Sequence, residues 1–259
     1  LRLALRLFRA SFYHLRLAKA QLALRMFSQM FLMFLEFAIL ILILKRFRDI
    51  GGWNLYEVAV LYGISSGTIA LARMIFSELH HFDRLLLSGG FDSYLIRPVS
   101  PLFLLIMKKI DWAKMGGLLQ ALFVLGFGLS GLPSVALVPF FLYLPILFIS
   151  SLFIMFFIEL TSATITFWTG RNKELQPFLI YAPSTGALYP LHIYPDWLQG
   201  IFLTLLPVGW LNYFPLSVLL HKSSASYWLW GTPCMAIGFA GLAIWFWKKG
   251  LVRYSSTGS

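Results

Sequence analysis

Three carboxylates fall inside long apolar runs: Glu36, Glu57 and Glu159. An ionised acid at membrane depth is costly unless it faces protein or water, so each is a candidate for a proton or cation path. The competing reading is a polar contact inside a helix bundle, or a side chain reaching to an interface. None of the three has a basic partner at helical spacing. Glu57 is expected near the outer boundary, where water is available, and Glu159 in the inner half of its run. The histidines (His14, His80, His81, His192 and His221) are scattered. His80 and His81 are adjacent, and adjacent side chains on a helix diverge, so no metal site is expected. The chain has no Gly-x-x-x-x-Gly-Lys-Ser/Thr run, so it is expected to bind neither ATP nor Mg itself. It also lacks a Ser, His and acid set in a hydrolytic motif, which argues against an enzyme. Cys234 is the single cysteine; it cannot form an internal disulfide, and its place in an apolar run suggests inert packing.

The most specific stretch runs from Ser88 to Pro101. Gly89-Gly90 breaks any helix, Phe91, Asp92, Tyr94 and Leu95 make a short amphipathic element, and Arg97-Pro98-Val99-Ser100-Pro101 imposes a stop. This is the form of a docking peg for a cytosolic partner; the plainer alternative is a connecting loop. A second pattern, Gly63 and Gly67 with Ala59 one turn earlier, lets helices approach closely. It suits a dimer face or an internal contact equally well.

The elements that must hold these residues follow from composition. Of 259 residues, 59 % are hydrophobic and 12 % charged, with a mean hydropathy of +0.78. Soluble domains average roughly 45–50 % apolar and roughly 25 % charged, so this is an integral membrane protein. A span needs about 20 apolar residues, which allows about six. The spacing predicts spans over 26–44, 55–76, 115–131 and 138–168, and a last one over 227–247. The fourth run is too long for a perpendicular crossing and is expected to tilt, kink at Pro145 or extend past the bilayer. Residues 1–22 read as an amphipathic interfacial helix, with Arg2, Arg6, Arg9, Tyr13 and Arg16 on one face. Residues 77–111 mix charged and apolar positions, as short surface helices do.

Residues 175–220 hold six of the chain's 12 prolines; an outward span followed by a re-entrant pair of short helices fits them, with irregular backbone held against protein or a wet cavity. A net charge of +11 would suggest nucleic acid in a soluble chain. Here it reflects basic residues that hold loops on the cytoplasmic side. With both termini inside, 17 of the 21 Lys and Arg lie inside, and the cluster Lys45, Arg46 and Arg48 is the exception.

The run Gly90-Phe91-Asp92-x-Tyr94-Leu95-x-Arg97-Pro98-Val99-Ser100-Pro101 resembles a signature of the ABC type-2 transporter permeases, in their six-span branch. Phe167-Trp168 is similar to the end of that branch's fourth span. Tyr189-Pro190-Leu191-x-Ile193-Tyr194-Pro195 and Pro207-Val208-x-x-x-Leu211-Asn212-Tyr213-x-Pro215 resemble its late proline-rich segment. The resemblance implies one permease domain over 1–259, with six transmembrane helices, an N-terminal interfacial helix, a cytoplasmic coupling helix and re-entrant helices before the last span.

The resemblance further implies a non-catalytic, multi-pass subunit of the cytoplasmic membrane that pairs with a second permease subunit, identical or related. Two separate ATPase subunits would bind ATP and Mg and dock on Gly90–Pro101. The expected cargo is an amphipathic or lipid-like molecule, drug or peptide, moved outward along the first, second and fifth regions. The alternative is a proton-coupled secondary transporter that uses an intramembrane carboxylate.

Overall fold

The computed structural model describes residues 19–47, 49–171 and 173–254. Among them the chain is all-helical, as hydrocarbon requires of a chain that must satisfy its backbone within each segment. Helix α1 spans Lys19–Phe47 and α2 spans Leu55–Ile75. Four short helices follow: α3 (Ser77–His80), α4 (Phe82–Leu87), α5 (Asp92–Leu95) and α6 (Pro101–Lys108). A 3-10 turn, Trp112–Lys114, leads into α7 (Met115–Ser130), and α8 runs over Ser134–Thr169. A π turn at Pro177–Tyr181 continues into α9 (Ala182–Gly186). Then come α10 (Asp196–Thr204), α11 (Tyr213–Leu219) and α12 (Tyr227–Arg253).

Five of these helices are long and apolar enough to cross a membrane: α1, α2, α7 with its leading turn, α8 and α12. A sixth crossing would be the bent pair formed by α10 and 208–219, which break at 71°. The expected interfacial helix over 1–22 lies almost wholly outside the described residues. Its last four positions, Lys19 to Leu22, belong to the same unbroken helix as the first span.

Helix α2 is the core of the bundle. In its most apolar window 83 % of residues are buried, against 22 % in α1 and in α12. It packs most extensively on α7, as α12 does on α8. A Cβ on Gly63 would sit 2.9 Å from the Leu125 backbone, and one on Gly67 3.3 Å from the Ala121 methyl. The small-residue stripe therefore brings α2 against α7 inside one subunit. At its start, the Asn54 side chain accepts from the backbone of Tyr56 and Glu57, and Glu57 accepts from Asn54 N in return. This capping box stabilises a helix start by about 1 kcal/mol.

Helix α8 carries Pro139 and Pro145 without interruption and ends on Gly170, whose φ of 71° is left-handed. Cys234 is exposed on the surface of α12. It does not pack inside the subunit as expected, because α12 turns this face away from its neighbours.

Candidate functional site

The Gly90–Pro101 segment divides into an inner and an outer half. Phe91 is fully buried and Tyr94 nearly so. Phe91 meets Phe82 and Tyr254 edge-on, at centroid distances of 5.1 and 5.2 Å, and contacts Trp247 and Phe167 at 6.2 and 5.8 Å. Such pairs contribute about 0.5–1.5 kcal/mol each beyond their burial. The Asp92 carboxylate accepts a hydrogen bond from the Tyr254 hydroxyl at 2.7 Å. Lys108 Nζ stands 4.8 Å from the Tyr94 ring centre.

The other half points away. Ile96 is 85 % exposed and Leu95 40 %; Arg97 and Pro98 are exposed as well, while Gly90, Val99 and Pro101 are half-buried. Pro101 opens α6 at the first helical position, where its missing N–H costs nothing. Phe167 closes α8, and Trp247 lies in the last turns of α12, with Tyr254 just past it. The segment is thus anchored to the ends of two spans through one aromatic cluster.

The three carboxylates lie apart, and each has its own surroundings. Glu159 is fully buried on α8, with Oε2 3.2 Å from His80 Nδ1. The other ring nitrogen of His80 lies 3.2 Å from the Tyr181 hydroxyl, and Gln176 Nε2 donates to His80 O at 2.8 Å. This chain ties α8, α3 and the π turn together. The rings of His80 and His81 stand 5.1 Å apart, contrary to the expected divergence, because His81 lies past the end of α3, where helical geometry stops.

Glu57 differs from its expected solvated place: it is 8 % exposed, caps α2 and pairs with Lys222 Nζ at 2.9 Å. Burial by the chain that returns before α12 explains the difference. Glu36 is exposed on the surface of α1, midway along the span. It lies close enough to Tyr62 and Tyr189 to act on both electrostatically. A carboxylate at this depth needs a polar environment, so this face of α1, α2 and the fifth region must meet water or protein.

A fourth feature lies in the late proline-rich motif, whose pattern assigned Asn212 no polar role. Asn212 is buried at the α10–α11 break, and its Nδ2 donates to Leu61 O (3.3 Å), Ala187 O (3.2 Å) and Ser65 Oγ. Ser65 Oγ lies 2.6 Å from Ala187 O, and Ser151 Oγ donates to Leu211 O. Side chains of the continuous spans thus satisfy carbonyls in the irregular, proline-rich stretch, as broken backbone at membrane depth demands.

Apolar spans and a bent pair of short helices define an all-α integral membrane protein. The family described as ABC-2 family transporter protein matches residues 30–258, nearly the whole chain. The chain therefore belongs to the ABC-2 transporter family and is the permease subunit of an ABC transporter. No curated protein and no solved structure matches it.

Proposed function

We propose that this permease is driven by separate ATPase subunits that dock on its Gly90–Pro101 segment, and that it exports an amphipathic or lipid-like molecule. The observation that carries the reading is the split of that segment: Phe91 is locked among the span ends, whereas Ile96 is 85 % exposed at the tip. An apolar side chain this exposed beside Arg97 and Pro98 suits a partner surface rather than solvent. Gly90, Phe91, Asp92 and Tyr94 hold the lever. Leu95, Arg97, Pro98, Val99 and Pro101 shape its contact face. ATP and Mg belong to the partner, two ATPase chains serve two permease chains, and both termini share the cytoplasmic side with the segment.

The path runs along the face where Glu36 meets Tyr62 and Tyr189. A wall of aromatic and aliphatic side chains with a few polar groups fits greasy cargo with a polar end. The test is purification of the intact complex from native membranes. The expected result is an ATP-hydrolysing subunit in fixed ratio to the wild-type chain, lost in the Ile96→Asp variant. Its retention in that variant would refute docking at this tip.

One observation favours the proton-coupled alternative: the Glu159–His80–Tyr181 chain joins a buried acid to a titratable ring. Uptake driven by a pH gradient without ATP, abolished by Glu159→Gln, would establish it.

A further inference from the structure

At the same end of the bundle as the lever, a cavity of about 270 Å³ opens where α2, α3, the turn before α7 and the π turn converge. Arg73, in the last turn of α2, and Lys114, in the turn before α7, supply two basic side chains to its wall. Among the described residues neither has a carboxylate within ion-pair distance. The Arg73 Nε is buried without a hydrogen-bond partner, and its guanidinium lies 5.3 Å from the Tyr181 ring centre. Lys114 Nζ spends one proton on Gln29 Oε1 at 3.1 Å, which leaves two to donate.

His81 Nδ1 donates to Ser77 O at 2.8 Å, so in the neutral ring Nε2 is an acceptor and the cationic contacts fall to Arg73 and Lys114. Among the described residues the only carboxylate in the wall is Asp111, whose Oδ1 accepts from Ala113 N at 3.2 Å. Glu159 does not line the cavity; it is screened by His80, whose two ring nitrogens face Glu159 and Tyr181. The balance is therefore cationic, and a buried donor without a partner is costly.

We propose that this cavity binds a phosphate-bearing group, with Arg73 and Lys114 as its two cationic contacts. A guanidinium fork beside an ammonium matches a tetrahedral oxyanion. The depth fits as well: Arg73 closes one candidate span and Lys114 opens another, so the cavity lies at the level of lipid headgroups. The phosphate could belong to a membrane lipid or to a soluble molecule, and the chemistry of recognition is shared. The inference rests on the bundle alone and does not depend on where an ATPase docks.

The test is equilibrium binding to the purified full chain in neutral detergent micelles. The probes are short-chain phosphatidic acid, diacylglycerol of the same chains, and glycerol phosphate as a soluble competitor. Phosphatidic acid is expected to bind and diacylglycerol not. Arg73→Gln should weaken binding by about tenfold, the loss of a charge-assisted bond. Arg84→Gln, exposed at the same end but outside the cavity, should change nothing. Asp111→Asn keeps an oxygen for the Ala113 N–H and removes the opposing charge, so it should tighten binding by about threefold, a gain that misfolding cannot produce. Competition by glycerol phosphate would show that the headgroup alone suffices; bound phosphatidic acid that resists it would assign the site to a lipid. Equal binding of diacylglycerol, or affinity unchanged in both Arg73→Gln and Asp111→Asn, would overturn the proposal.

Discussion

The two ends of this bundle are held in different ways. At the Ile96 end, short helices are fastened to the spans by aromatic packing around Phe91 and by single polar links, Asp92 to Tyr254 and Glu159 to His80. Toward the Lys222 end rings pack as well, Phe214 on Trp228 and Trp53 on Tyr213, but there and at membrane depth polar side chains also grip backbone carbonyls across elements: Asn212 on Leu61 and Ala187, Ser151 on Leu211, Lys222 on Gly52. Aromatic packing around Phe91 anchors the short helices at one end, and the polar grip keeps the broken helices in place toward the other.

Substitutions can break this comparison, and the largest effect belongs to the aromatic cluster. Phe91→Ala should lower stability by about 3–5 kcal/mol, read as denaturant unfolding of the detergent-solubilised protein. A loss near zero would mean that the lever is not anchored there. Asn212→Leu should cost less, about 1–3 kcal/mol, and should speed hydrogen exchange selectively around 187–212; a uniform increase would show no special grip at that end. Lys222→Met removes a half-exposed partner of Glu57 and should cost at most about 1 kcal/mol, visible as a small drop in melting temperature. Ile96→Asp should leave the melting curve within about 0.5 kcal/mol of wild type, because the side chain touches little of its own chain.

Much of this architecture was legible in one dimension. The second span, read as 55–76, is the helix Leu55–Ile75, since its apolar run is bounded by a capping Asn54 and by charged residues. The prolines between Pro177 and Pro215 announced broken helices, because proline removes a donor wherever it falls. The charge partners were not legible. His80 meets Glu159 across 79 residues and Lys222 meets Glu57 across 165, and neither separation has a helical period. Nor could the motif reveal its own division: Phe91 and Ile96 are both apolar, and only the packing of Phe167, Trp247 and Tyr254 decides that the first is an anchor and the second a tip. Gly63 and Gly67 allowed a contact between subunits or within one, and the backbone of Leu125 decides for the latter.

The most direct test of the account is a photo-crosslinker placed at Ile96 in the intact complex, with a second placed at Trp230, which is 79 % exposed near the other end of the bundle. Docking at the Ile96 tip predicts an adduct between position 96 and an ATP-hydrolysing subunit, and none from position 230. An adduct to that subunit from position 230 alone would contradict it.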